Sequence, residues 1–225
     1  MHIGRRQILG SAGAAAMVLA APLPLRASTG PRVFELYRGS SQIGRQVLDV
    51  TRDGSRLDVA VDIDIAVRIL GLPAYRYTLS SREVWVDGRL QALEGRTDDD
   101  GEAHRVSVTR QGGVLMVDGS GYSGPVEGEP ATTTYWAKSF LKRDEWISTQ
   151  DGKPLDISAQ PAGRTEVPVP GGATEAESWA VRGDIGVLDL FYDAQGEWVG
   201  NRFEARGEQA RFVLAERGRD LAGLL

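Results

Sequence analysis

The chain has 225 residues, 26 basic and 31 acidic side chains, two histidines and no cysteine, for a formal net charge of −5. Without cysteine it has no thiol catalysis, thiolate metal site, iron–sulfur cluster, disulfide or lipid attachment through an N-terminal Cys. The acidic balance argues against nucleic acid and anionic lipid surfaces, which call for clustered Lys and Arg.

Residues 1–28 read MHIGRRQILGSAGAAAMVLAAPLPLRAS. Arg5 and Arg6 form a twin-arginine pair ahead of Gln7, Ile8 and Leu9, a weakly apolar run follows to Ala21, and Leu25-Arg26-Ala27 offers a small-residue cleavage site. This layout predicts a Tat-type signal peptide over 1–27, cut near Ala27, and a single periplasmic domain over 28–225. The run is too short and too rich in Gly and Ala for a membrane-spanning helix. The leader holds three arginines and no acid, so its removal takes the net charge from −5 to −8. It also removes His2. His104 alone remains, so no multi-histidine metal site is expected.

From Val33 onward apolar residues recur with period two. In residues 57–65, Leu57, Val59, Val61, Ile63 and Ile65 share one face while Asp58, Asp62 and Asp64 share the other, the pattern of a half-buried strand. Segments 33–38, 43–52, 74–86, 90–96, 103–110 and 114–118 read the same way. Asp53-Gly54, Asp87-Gly88, Asp100-Gly101 and Gly112-Gly113 separate them, and such dipeptides suit the left-handed dihedrals of two-residue hairpin turns. The first half is therefore an antiparallel meander. Residues 65–75, IAVRILGLPAY, are unusually apolar for a connection. Ile69, Leu70 and Leu72 beside Pro73 either rim an apolar cavity or pack a barrel end.

The rhythm breaks at residues 119–130, a loop rich in Gly, Pro and Ser. Residues 132–143 read as a helix with a Thr N-cap, Trp136 and Phe140 on one face, and Lys142 and Arg143 at the C-terminal end. Such a helix either plugs one mouth of a barrel or anchors its aromatics in the core from the surface. Strands resume over 146–149 and 155–159, residues 161–172 read as an exposed Pro- and Gly-rich connection, and strands follow over 175–181, 186–192, 197–204 and 209–215. Within 185–192 both faces are apolar, so both must be covered. The fold class is all-β, an antiparallel meander forming a barrel or strongly curved sheet with one short helix.

The segment Leu188-Asp-Leu-Phe-Tyr-Asp-Ala-Gln-Gly-Glu-Trp-Val199, with Phe203 and Phe212-Val-Leu214, resembles the closing hairpin of a family of exported proteobacterial proteins of unknown function. In that family an aromatic-Tyr-Asp-x-x-Gly-x-Trp-Val pattern precedes the last strand; Phe191 stands here where Trp is usual. Tyr135-Trp136 and Thr149-Gln150-Asp151-Gly152 are similar to its middle region. The resemblance spans residues 33–216 and implies a β domain, with no catalytic residues to carry over. The chain also looks loosely like periplasmic lipoprotein and lipid carriers, whose curved sheets wrap a helical plug, a likeness of architecture alone.

No motif marks a reaction. Asp193 begins a turn that Gly196 completes, with Tyr192 and Trp198 paired across the hairpin. Asp98–Glu102 lacks the alternating ligands of a calcium loop and reads as a hairpin tip. Ser120-Gly-Tyr-Ser123-Gly is not a nucleophile elbow, His104 reads as a strand residue, and the glycines near 171 and 183 have no dinucleotide spacing. No catalytic, metal or cofactor site is expected. The reading that remains is non-catalytic binding of an apolar small molecule, a lipid or acyl chain, inside the shell. Its expected lining is Ile69, Leu70, Leu72, Trp85, Trp136, Phe140 and Trp179. Contact with a membrane would be transient, and no nucleic acid is bound. Two alternatives stay open. A filled barrel would favour an accessory protein that meets a protein partner. An ionisable pair buried in a cavity would favour an enzyme acting on a lipid or metabolite.

Overall fold

The computed structural model describes residues 30–205 and 207–225. The signal peptide expected over 1–27 and its expected cleavage near Ala27 lie outside the described residues. Eight strands lead the chain: β1 (Arg32–Arg38), β2 (Ser41–Asp53), β3 (Arg56–Ile69), β4 (Leu72–Val86), β5 (Arg89–Asp99), β6 (Glu102–Gln111), β7 (Val114–Gly119) and β8 (Ser123–Val126). A central segment holds β9 (Ala131–Thr132), a 3-10 turn (Lys138–Lys142) and β10 (Glu145–Ile147). The chain ends with β11 (Pro154–Val169), β12 (Gly172–Gly183), β13 (Gly186–Asp193), β14 (Trp198–Ala205) and β15 (Glu208–Glu216).

All of these strands form one sheet in the order β8-β7-β6-β5-β4-β3-β2-β1-β15-β14-β13-β12-β11-β10-β9. Each hairpin neighbour is antiparallel, and only β9 and β10 run parallel. The join between the two meanders is β1, which pairs with β2 on one side and β15 on the other. The sheet curls into a barrel-like shell that hydrogen bonds do not close. Its terminal strands, β8 and β9, are short and pair on one side only. The turn chemistry follows the sequence. Asp87-Gly88 has φ values of 51° and 74°, and Asp100-Gly101 has 57° and 95°. Both dipeptides thus hold the left-handed pair that a two-residue hairpin demands.

Four expectations need correction. The helix over 132–143 contracts to the 3-10 turn. Thr132, Thr133 and Thr134 are β-branched, β9 takes the first of them, and Tyr135 sits at φ 58°, which no α-helix admits. The connection over 161–172 is instead the far half of β11 and the start of β12. Pro161 is tolerated at a bulge there, because β10 pairs with β11 only over Pro154–Asp156 and leaves the rest of that edge unpaired. The apolar run 65–75 is likewise the continuation of β3 and β4 into a long hairpin, and β8 occupies part of the loop over 119–130.

The two ends of the shell differ. At one end the central segment fills the interior with Trp136, Phe140 and Trp146, which meet Trp85 from β4. Their rings pack at centroid distances of 5.1 Å for Trp85–Phe140, 5.5 Å for Trp136–Phe140 and 6.2 Å for Phe140–Trp146. Arg143 closes this end. Its guanidinium lies 5.1 Å above the Trp85 ring and donates to the carbonyls of Gly88, Glu129 and Pro130. Nearby, buried Arg32 pairs with Glu197, which also accepts from the Leu221 N–H and so ties down the C-terminal segment. The central segment then climbs the inner wall. Gly95 and Gly119 let it approach: a Cβ on Gly95 would lie 2.4 Å from the Thr149 carbonyl oxygen, and one on Gly119 2.2 Å from that of Asp151.

Candidate functional site

Above the aromatic fill the shell is hollow. A cavity of about 740 Å³ opens at the end formed by the β1–β2, β3–β4, β12–β13 and β14–β15 turns. That volume falls within the ~300–1,000 Å³ usual for small-molecule sites. One wall is the inward row of β3, with Val61, Ile63, Ile65, Val67 and Ile69, flanked by Leu79 and Tyr77 of the adjacent β4. The opposite wall comes from the second meander through Leu155, Ile185, Leu188, Phe203 and Phe212. Alternation on each strand delivers these side chains inward.

The deep part of the cavity is polar. Thr133, Thr134 and Tyr135 form its floor. Tyr135 keeps its left-handed backbone because the buried Tyr192 hydroxyl donates to its carbonyl at 2.8 Å. Its ring leans on Trp146 and Trp198 at 5.9 and 6.3 Å. The Tyr77 hydroxyl donates to Gln150 at 3.2 Å. Burial pushes the hydroxyls of Tyr77 and Tyr135 well above the ordinary tyrosine value, so both remain neutral. Gln46 of β2 is 3% exposed and lines the cavity, and its amide has no hydrogen-bond partner among the described residues. Asn201 of β14, also buried on the wall, accepts from the Phe212 N–H and leaves its amide N–H groups without a protein acceptor among the described residues.

Directly beneath the floor lies Glu83, which is 1% exposed. It accepts from the Trp85 indole at 2.7 Å, the Thr134 hydroxyl at 3.0 Å and the Trp136 indole at 3.4 Å. Thr132 and Thr134 share a further hydroxyl bond of 2.8 Å. No cation among the described residues meets the carboxyl, and burial raises its pKa above the ordinary value against the pull of these donors. The network fastens the aromatic fill to β4 and separates the packed end from the hollow one. At the opening, charges pair off: Arg38 with Glu208 at 3.0 Å and Lys153 with Asp184 at 4.0 Å.

Of the seven residues expected to line a cavity, the structure places Ile69 on its wall. Leu70 and Leu72 stand just beyond it at the tip of the β3–β4 hairpin, 98% and 71% exposed. Trp85, Trp136 and Phe140 are in the packed fill below the floor, and Trp179 is half-buried on β12 away from the cavity wall. Large aromatic rings fill this shell and mid-sized aliphatic side chains line its space. Two polar residues stand out on core faces of the sequence. Gln46 shares its period-two face with Leu48 and Val50, and Glu83 shares its face with Leu79 and Trp85. A polar residue on a core face needs an explanation, and here both sit at or under the cavity.

The remaining sequence features behave as turns and strands. Asp193 accepts from the N–H groups of Gln195 and Glu197 at 3.1 and 3.0 Å, and Asp98 accepts from that of Gly101 at 2.8 Å. His104 pairs with Thr97 inside the β5–β6 ladder.

Comparison with known proteins agrees with this architecture. No curated protein matches the sequence. Among solved structures, the chain is similar to a beta-barrel-like protein of the DUF1849 domain of unknown function from Brucella abortus. The TM-score is 0.59 at 12% identity, over 85% of this chain and 98% of that one. At that identity the likeness shows the fold alone. A protein-family model described as a domain of unknown function, DUF6134, matches residues 34–215. This all-β chain with its unclosed barrel-like sheet therefore belongs to the DUF6134 family.

Proposed function

We propose that the protein is a non-catalytic binding protein that holds one apolar small molecule, a lipid or acyl chain with a hydrogen-bonding end, and that it works in the periplasm. The observation that carries this reading is the 740 Å³ cavity, apolar along its walls and polar at its floor. The Gln46 side chain lines the cavity and no protein group among the described residues bonds its amide, which leaves it available to water or to the polar end of a ligand. The export leader supports the location.

The cavity counts against the accessory-protein reading, which rests on a filled barrel. The buried Arg32–Glu197 ion pair lies at the closed end and gives no support to chemistry in the cavity. Native mass spectrometry of the mature protein, purified from its own periplasm and followed by organic extraction, tests the proposal. A stoichiometric apolar adduct is expected. A clean apo mass with no uptake of fatty acids or phospholipids would overturn it.

A further inference from the structure

Ladder pairing holds β3 against β2 only as far as Ile65, opposite Gly44, and β4 against β5 only as far as Tyr77, opposite Asp99. From Ala66 to Ala74 the ladder runs between these two strands with no third strand beside it among the described residues. Four residues of β3 beyond the last neighbour would reach roughly 13 Å from the shell. A free two-stranded ribbon in water ordinarily ends in polar turn residues. This one ends in Ile69, Leu70 and Leu72, which are 55%, 98% and 71% exposed. Leu70 and Gly71 take φ values of 51° and 82°, the positions at which a two-residue hairpin prefers Asn and Gly. Neither packing nor turn geometry accounts for a leucine there.

Two further observations narrow the purpose. The inward row of β3 runs without a break from buried Val61 through Ile63, Ile65 and Val67 to Ile69, so the cavity wall continues as an apolar track to the tip. Arg68 stands beside the tip, forms no ion pair among the described residues and reaches only the Gly71 carbonyl at 3.3 Å. A narrow apolar point with one unpaired guanidinium behind it matches the boundary between acyl chains and phosphates in a lipid bilayer.

We infer that the β3–β4 hairpin is a membrane-docking finger: Leu70 and Leu72 enter the interfacial layer of a phospholipid bilayer, Arg68 meets a lipid phosphate, and the track behind them leads to the cavity. The inference rests on the cavity reading for its purpose but on the exposed tip for its evidence. The acidic chain is not drawn to a charged surface as a whole, so the contact is apolar, brief and little affected by salt.

The test is co-sedimentation of the mature protein with phosphatidylcholine vesicles at low and high salt, alongside uptake of a fluorescent fatty acid from free solution. The variants are Leu70→Asn, which suits the turn and keeps the fold, and Arg68→Gln. Leu70→Asn is expected to weaken vesicle binding by about tenfold. Arg68→Gln should weaken it by about threefold. Both should leave fatty-acid uptake unchanged. Wild-type protein that ignores vesicles while taking up the fatty acid overturns the finger and leaves the cavity reading standing. Vesicle binding that Leu70→Asn does not alter also overturns it, as does a soluble protein partner that alone is lost with Leu70. Vesicle binding without fatty-acid uptake keeps the finger and removes the cavity reading.

Discussion

The two ends of β3 carry the same kind of side chain into different surroundings. On its inner face Leu57, Val59 and Val61 are 2%, 1% and 2% exposed, whereas Ile63, Ile65 and Val67 are half-buried and Ile69 is 55% exposed. The strand does not change; the space opposite it does. Where the central segment brings in Trp136, Phe140 and Trp146, the shell is solid. Where that segment hugs the wall past Gly95 and Gly119, the shell is hollow. An alternating apolar pattern states which face points inward. It does not state whether anything meets that face.

Substitutions that act on one end and spare the other sharpen this contrast. Trp136→Ala should have the largest effect, a loss of about 3–5 kcal/mol by urea denaturation, since it empties the solid end and removes an indole donor from Glu83. Gly95→Ala should cost about 1–3 kcal/mol, because the new methyl group forces the Thr149 backbone off the wall. Fatty-acid uptake should fall with it, as that backbone also borders the cavity.

Glu83 lies at the boundary, and its effect is a matter of pH. Burial raises the folded carboxyl above its ordinary 4.5, so the folded chain keeps a proton that the unfolded chain releases. This contribution to stability is complete below pH 4.5 and is lost as pH rises through the raised folded value. Glu83→Gln keeps an acceptor for the two indoles and carries no charge. Urea midpoints from acid to mildly alkaline pH should therefore decline less steeply in this variant than in the wild type. Gln46→Leu should be mildest, shifting stability by no more than about 1 kcal/mol while lowering the preference for fatty acids over plain hydrocarbons in competition titrations. A large loss of stability would mean that Gln46 serves the fold rather than the cavity.

Much of the shell was legible in the sequence because strands and hairpin turns are local. The alternation over 57–65 and the Asp-Gly pairs at 87–88 and 100–101 needed no knowledge of the remainder. The segment 132–143 was misread because i, i+4 spacing of Trp136 and Phe140 fits a helix, while the fold uses both as fill in an irregular chain. The rings of Trp85, Trp136 and Phe140 lie in the packed end for a related reason: size and apolarity mark what a shell can bury, and these were the best filling available. Burial of Glu83 depends on indole and hydroxyl donors about 50 residues away, contacts that only the fold brings together. The apolarity of residues 65–75 points to Ile69, whereas nothing in the sequence signals that these residues continue β3 and β4 past Ile65.

The central claim is that the hollow end of the shell is a ligand site. The most direct measurement is titration of the delipidated protein with a fluorescent fatty acid, comparing wild type with Ile65→Trp, which fills the cavity from its half-buried wall and leaves the aromatic end untouched. The account predicts saturable one-to-one uptake by the wild type and its loss in Ile65→Trp at unchanged thermal stability. Absence of uptake by the wild type, or uptake that Ile65→Trp leaves intact, would contradict it.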